Sequence, residues 1–242
     1  MPELPDVEGF RRVLADSAQR RRVRAVEVYD RQIVHGATLD ELSSAEGRRV
    51  ATVTRRGKWL IVPFSPVRGP HPVLLMHFGM TGSLLWVPGG GEAPGPHDRA
   101  DLVFTAGRIR YRDQRKLKGW WWARSPAEVD DILGDLGPDA GTVDAETFAA
   151  LLTAHRRGVK SALLAQSVLA GLGNLLTDEI LWQARIHPAR STRDLTDPEL
   201  ERLHATMRRV LRDSVPVGRV PDQHGWLTGR RDAPDPHCTR CG

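Results

Sequence analysis

The sequence predicts an α+β protein with a β-rich first half and a helical second half. Three observations carry that expectation. Short apolar runs of strand length recur between residues 23 and 112. Beyond Leu136-Gly137-Pro138 the apolar residues recur at helical spacing instead. The last five residues hold Cys238 and Cys241 in a C-x-x-C pair, half of a zinc site. A chain of 242 residues suits one large domain or two modest ones, and the change of character places a boundary near residues 130–140.

The elements follow in order. Asp6 to Ala18 is expected to be a helix, because Val7, Phe10 and Leu14 share one face and Asp6 can cap the start. Strands are expected over Val23–Tyr29, Arg49–Arg55, Trp59–Phe64, Val73–Phe78, Asp101–Thr105 and Arg108–Arg112. Ala106-Gly107 between the last two is a hairpin signal, and Pro88 to Pro96 has the glycine and proline content of a surface loop. Helices are expected over Ala145–Arg156, Lys160–Ala165, Leu175–Ala184 and Asp197–Arg212. The segment Val215–Pro236 is rich in proline and glycine and leads to the cysteines. There is no internal repeat.

Composition narrows the function. Apolar residues make up 40% and charged residues 27%, ordinary for a globular protein. No run of about 18 apolar residues offers a membrane span. Met-Pro-Glu-Leu-Pro-Asp lacks the apolar core of a secretory signal, so a cytoplasmic protein is expected. The formal charge of +5 and a pI near 9.7 suit a polyanionic partner. On charge alone, an Arg-rich composition explains the balance equally well. Two cysteines do not make a disulfide framework.

The N-terminus carries the chemistry. Proline at position 2 favours removal of Met1, which leaves a free secondary amine. A terminal α-amino group titrates at roughly 7.7–8.0, far below a lysine, so much of it is unprotonated at neutral pH. Such an amine can attack the C1′ carbon of a deoxyribose, expel the base and form a Schiff base. The iminium is an electron sink that makes elimination of the 3′ phosphate possible. Glu3 is the adjacent carboxylate, able to shuttle a proton to the sugar ring oxygen and to stabilise the developing cation. Lys58, in Arg55-Arg56-Gly57-Lys58-Trp59, is suited to hold a phosphate or help protonate the leaving base. Taken singly, a Pro-Glu terminus is more often a loose end and an Arg-Arg-Gly-Lys run a solvated turn.

Taken together, the motifs resemble a family. Met1-Pro2-Glu3-Leu4-Pro5-Asp6-Val7-Glu8 looks like the start of the formamidopyrimidine-DNA glycosylase and endonuclease VIII family. Further pieces follow in that family's order: Arg55-Arg56-Gly57-Lys58, His77-Phe78-Gly79-Met80-Thr81-Gly82, His97-Asp98 leading to Asp101-Leu102, and Asp113-Gln114-Arg115-Lys116. After these come Lys160 with Gln166, Ala170-Gly171-Leu172-Gly173-Asn174, Ile186-His187-Pro188 and Cys238-Thr239-Arg240-Cys241-Gly242. The resemblance spans essentially the whole chain. It implies a β-sandwich domain with one N-terminal helix (1–135), a helix–two-turn–helix DNA-binding domain (136–215) and a partial zinc-finger segment (216–242). It also implies a glycosylase with abasic-site lyase activity, acting as a monomer on damaged or abasic duplex DNA in the bacterial cytoplasm, at the nucleoid. By position, Pro2 is the nucleophile, Glu3 the acid/base and Lys58 the catalytic-site lysine. Met80 and Arg115 would fill the void left by a flipped nucleotide, and His97, Lys160 and Asn174 would contact DNA. The Gly171-Leu172-Gly173-Asn174 turn opens a helix whose N–H groups suit a phosphate. Cys238 and Cys241 would bind a structural Zn2+.

Three departures qualify the resemblance. Leu117 stands where the family has an aromatic wedge. Only Asp213 to about Gly229 separates the last large helix from the finger, too short for the loop that covers a flipped oxidised purine, so abasic and exposed lesions are expected to be preferred over 8-oxoguanine. The finger stops after one C-x-x-C pair, with His237 too close to Cys238 to replace the other, as in a shortened or incompletely ordered finger. The competing expectations are a catalytically idle member that binds damaged or abasic DNA, and a nucleic-acid binder sharing only the helix–two-turn–helix element.

Overall fold

The computed structural model describes residues 1–65, 71–89, 91–223, 225–230, 237 and 240. The chain divides into two compact units. One comprises Met1–Pro2 and Val7–Gly134, the other Glu3–Asp6 and Asp135–Gly242.

The first unit is the expected β-sandwich with most of an N-terminal helix, α1 (Leu4–Ala18), whose first three residues belong to the second unit. Its strands in chain order are β1 (Ala25–Val28), β2 (Val34–His35), β3 (Thr54–Arg56), β4 (Trp59–Pro63), β5 (Val73–His77), β6 (Ser83–Pro88), β7 (Asp98–Phe104), β8 (Gly107–Arg112) and β9 (Trp120–Ala123). One sheet has the order β1-β7-β8-β6 and the other β2-β9-β5-β4-β3. All pairs are antiparallel except β2 with β9. Alternation along the strands sends Leu102, Ile109 and Tyr111 from one sheet, and Leu60, Val62, Leu74, Met76, Trp120 and Trp122 from the other, into one core that also takes Val7 and Leu14 of α1. Two short helices, α2 (Leu39–Ser43) and α3 (Pro126–Leu133), complete the unit.

The two central strands of the first sheet bury charge. Asp101 is fully buried and takes a two-point bond from Arg110, Nε at 3.0 Å and Nη2 at 2.9 Å. Asp98 accepts from Arg112 Nε at 2.7 Å and lies 3.2 Å from Arg110 Nη1. The Arg112 hydrogen bond and the neighbouring guanidinium charges hold the Asp98 carboxyl below its ordinary range against the cost of burial.

Several expectations change. The helix begins at Leu4, and Asp6 is not its cap: it sits in the first turn and accepts the Glu3 N–H at 2.8 Å, half of a capping box. Arg49–Arg55 is not one strand. Arg49 and Val50 make isolated bridges to Arg22 and Phe64, and regular pairing starts only at Thr54. Pro63 opposite has no N–H for that ladder, so only its carbonyl is bonded, by Ala51 N–H at 2.8 Å. Ser83–Pro88 and Trp120–Ala123 are strands that no alternating pattern announces.

The second unit contains α4 (Ala145–Thr153), α5 (Val159–Leu164), α6 (Asn174–Ala184) and α7 (Asp197–Val217) around a core that includes Leu4, Phe148, Leu172, Leu176, Ile180, Leu203 and Met207. Asp144 caps α4 by accepting Thr147 N–H at 2.8 Å, and Thr196 with Glu199 forms a capping box on α7. Helix α7 continues five residues past the expected Arg212, through Pro216, and stops at Gly218 in the left-handed region. No described helix is long and apolar enough to cross a membrane. Cys238 and Cys241 lie outside the described residues, so the expected zinc-finger segment is not part of the described fold.

Candidate active site and DNA-contact residues

Glu3 is the most tightly built of the predicted site residues. It is 1% exposed. Its Oε2 accepts Gly173 N–H at 2.9 Å and Leu176 N–H at 3.1 Å, and its Oε1 accepts Leu175 N–H at 2.8 Å. These amides form the start of α6, where the helix leaves N–H groups without intrahelical partners and carries partial positive charge. Three donors fix both carboxylate oxygens in place. The next residue is pinned as well, since Leu4 N–H bonds Gly171 O at 3.0 Å and the Leu4 side chain is buried in the second unit's core. Pro2, half-buried, is therefore joined by one peptide bond to a fixed carboxylate. The α6 amides that the sequence offered to a phosphate are in this structure engaged by Glu3.

Lys58 stands in the turn between β3 and β4 and is 9% exposed. His77 ends β5, opposite Trp59 in the ladder, and its ring meets the Trp59 ring edge-on at 4.9 Å. Burial, with Lys118 and Lys58 nearby, pushes the His77 imidazole down to about 4, so it is neutral at physiological pH. Its Nδ1 accepts Gly79 N–H at 3.1 Å, which leaves the ring proton on Nε2. The sequence placed His77 inside a motif without giving it a role. A histidine ending a strand that opens the Met80 loop is the signal that could have found it.

Met80 and Arg115 lie side by side. Met80 is 42% exposed, and Arg115 Nη1 approaches its sulfur at 3.1 Å. The two loops are tied at their base. Thr81 Oγ1 donates to Asp113 Oδ1 at 2.5 Å, and Arg115 N–H is shared between Thr81 Oγ1 and Asp113 Oδ1, each at 3.1 Å. Gly79 adopts φ +54°, a left-handed turn that favours glycine. Leu117 is half exposed beyond the same loop. His97 is exposed in the turn before β7, where its carbonyl accepts Asp113 N–H at 2.9 Å.

In the second unit, Lys160 lies in the first turn of α5, and its Nζ is 2.6 Å from Asp178 Oδ1. The backbone there is braced by Lys160 N–H to Pro188 O at 3.1 Å and Val159 N–H to Arg190 O at 2.9 Å, which gives the Ile186-His187-Pro188 run a structural purpose. Asn174, half-buried, is the first residue of α6. Gln166 is a brace rather than a contact residue. Its Nε2 donates to Leu164 O and Leu172 O, both at 2.9 Å, and its Oε1 accepts Gly171 N–H at 3.0 Å, closing the turn 165–173.

Among the described residues no group of three or more His, Cys, Asp or Glu could hold a metal. The sequence holds two cysteines, two short of a four-thiolate zinc set.

Comparison with known proteins gives concordant matches. A family model described as the formamidopyrimidine-DNA glycosylase N-terminal domain matches residues 1–120, and one described as the H2TH domain of the same enzyme matches residues 136–222. The formamidopyrimidine-DNA glycosylase of Symbiobacterium thermophilum is 39% identical over 222 aligned residues, covering 89% of this chain and 70% of that protein. The enzyme of the same name from Acidothermus cellulolyticus is 35% identical over 264 aligned positions, covering 100% and 90%. A crystal structure of the Lactococcus lactis glycosylase bound non-covalently to DNA containing an AP site superposes with a TM-score of 0.80 at 28% identity, over 90% of this chain and 83% of that one. A complex of the same enzyme with DNA containing an abasic site gives 0.81 at 27% identity, over 93% and 83%.

Proposed function

This chain belongs to the formamidopyrimidine-DNA glycosylase family, and from that premise we propose that it excises damaged bases from duplex DNA and then cleaves the strand as an abasic-site lyase, using the Pro2 amine. The observation that carries the residue-level reading is the Glu3 carboxylate, buried and held by three amide N–H groups one peptide bond from Pro2.

The unprotonated amine of Pro2 attacks C1′, and the C1′–N bond to the base breaks with its electron pair passing to the base. The nitrogen, now cationic, gives its proton to the Glu3 carboxylate, which the amides of residues 173, 175 and 176 hold in place. Glu3 then delivers that proton to the sugar ring oxygen as the ring opens and the nitrogen lone pair forms the iminium. Water takes a C2′ proton, the C2′–H pair forms the C2′=C3′ double bond as the C3′–O bond breaks with its pair on the departing phosphate, and water then hydrolyses the iminium to regenerate the amine. Lys58 supplies positive charge for a phosphate or for the departing base. Met80 and Arg115, exposed and joined at their tips, suit the space vacated by an extruded nucleotide. His97, Lys160 and Asn174 are assigned to DNA contact. No step runs through zinc. Cys238 and Cys241 offer half of a structural set only.

Lesion choice follows from the short connection after α7. Its described residues pack inward: Val220 and Trp226 lie against the second unit's core, and Thr228 N–H bonds the buried Glu179 carboxylate at 3.0 Å. We assign the enzyme a preference for abasic sites and exposed lesions over 8-oxoguanine opposite cytosine, with Leu117 a less stringent probe of the opposite base than an aromatic residue.

Borohydride trapping on an abasic duplex tests the nucleophile. The protein with a free Pro2 amine is expected to be captured covalently, and the same protein carrying one extra N-terminal residue is not. Equal capture of both would remove Pro2 from the mechanism. Capture of neither would favour the idle damage-binding alternative.

A further inference from the structure

We infer that Gly173 is a positioning residue for Glu3: it is glycine so that the Glu3 carboxylate can occupy the space a side chain would fill. The inference rests on the assignment of Glu3 as the acid/base.

The backbone at Gly173 does not demand glycine. Its φ of −121° and ψ of −166° are extended values open to any residue. Gly171, two positions earlier, differs: its φ of +111° favours glycine by itself. What excludes a side chain at 173 is Glu3. A Cβ there would lie 2.3 Å from Glu3 Cδ and 2.5 Å from both Cγ and Oε1, well inside contact distance. Glu3 cannot yield at low cost. Both of its oxygens are engaged by the amides of residues 173, 175 and 176, and the following residue is fixed by the Leu4 N–H bond to Gly171 O and by burial of the Leu4 side chain. A methyl group at 173 would push the carboxylate off the amides that hold and aim it. Shortening the acid would not relieve the conflict, because an aspartate keeps a Cγ where Glu3 Cγ already lies 2.5 Å from that Cβ; removing the side chain beyond Cβ would.

A double-mutant cycle on the full chain with a processed N-terminus tests this. Thermal unfolding is measured for wild type, Gly173→Ala, Glu3→Ala and the double variant. Single-turnover base release and its pH profile are measured for wild type, Gly173→Ala and Glu3→Gln. Gly173→Ala is expected to lower Tm clearly when Glu3 is present and to change it little when residue 3 is alanine, because additivity fails only between side chains that meet. It should slow base release on the order of 10²-fold, the usual cost of a displacement near 1 Å at a reacting group. It should also displace the acidic limb of the pH profile while leaving affinity for a tetrahydrofuran-containing duplex within a factor of three or so. An equal Tm loss in both backgrounds would overturn the inference even if Gly173→Ala proved too unstable to assay. Wild-type base release by Gly173→Ala alongside an impaired Glu3→Gln would overturn it and leave the role of Glu3 standing. Wild-type base release by Glu3→Gln would remove that role and the inference with it.

Discussion

The N-terminal segment and the paired Met80 and Arg115 loops are assigned to the same event, yet they are built in opposite ways. Glu3 is buried, both of its oxygens are bonded to backbone amides, and the next residue is stapled in place. Met80 and Leu117 are about half exposed, and the order of their loops comes from the base, through Thr81, Asp113 and the left-handed turn at Gly79. Groups that move protons or form bonds need sub-ångström placement, which backbone donors supply. Groups that enter a duplex must stand clear of their own protein and are held only where they are rooted.

The first way to break the contrast is at the pinned end. Glu3→Gln is expected to reduce single-turnover base release on the order of 10²–10⁴-fold, the range for loss of a general acid/base. The amide keeps the volume but turns an NH2 group toward the amide donors of α6, so it forfeits part of the anchor as well as the proton exchange. Duplex affinity should change far less than the rate. Unaltered base release would take Glu3 out of the chemistry.

The next effect lies where the probe is rooted. His77 accepts the Gly79 N–H through Nδ1, and protonation would convert that acceptor into a donor facing a donor. Its folded-state value is depressed to about 4 from 6.5, so between those values the unfolded chain binds the extra proton. Stability from this group is therefore complete above pH 6.5 and is lost as pH falls toward 4, by roughly 3 kcal/mol in all. Urea unfolding at pH 7.5 and 5.0 should show most of that loss in wild type and a smaller one in His77→Asn, whose side-chain oxygen can still accept from Gly79. Parallel losses in the two proteins would exclude His77 as the titrating group.

Much of this architecture could be read from residues, and the failures have physical reasons. The helical second unit was legible because its apolar residues recur at helical spacing; the cap at Asp144 and the capping box at Thr196 emerged only with the structure. Pairing of Met80 with Arg115 was legible only through the family's motif order, since an exposed Met and Arg leave no local pattern. Trp120–Ala123 was missed because both faces of that strand are covered or half-covered, so its sequence does not alternate. The anchoring of Glu3 was invisible for a different reason. It joins residue 3 to residues 173–176, and no periodicity spans 170 positions. Glycine at 173 was the one available clue, and in sequence a glycine for space and a glycine for backbone conformation look the same.

At the exposed end smaller effects are expected. Met80→Ala and Arg115→Ala should each lower the yield of the extruded nucleotide, followed by 2-aminopurine fluorescence beside the lesion, by roughly tenfold, because the few kcal/mol spent on unstacking lose part of their compensation. Their unfolding free energies should stay within about 0.5 kcal/mol of wild type, as expected for exposed side chains. A large loss of stability in either variant would mean that the tips, and not only the bases, hold these loops together.

The smallest effect concerns a cation between the two extremes. Lys160 is assigned to a phosphate, yet in the protein alone its ammonium is 2.6 Å from Asp178, with both side chains partly exposed. Lys160→Ala should weaken binding to all sequences and flatten the salt dependence by about one unit, since one fewer counterion is released. Asp178→Asn makes the sharper test. If the carboxylate competes with phosphate for the ammonium, its neutralisation should tighten binding two- to fivefold, about the 0.5–1 kcal/mol worth of an exposed ion pair, with no flattening of the salt dependence. If the carboxylate instead holds Lys160 at the angle a phosphate needs, the same substitution should weaken binding, and Lys160 would join Glu3 among the pinned groups. Titrations of both variants against one abasic-analogue duplex at several salt concentrations separate the two outcomes, because only competition predicts opposite changes in affinity for Lys160→Ala and Asp178→Asn.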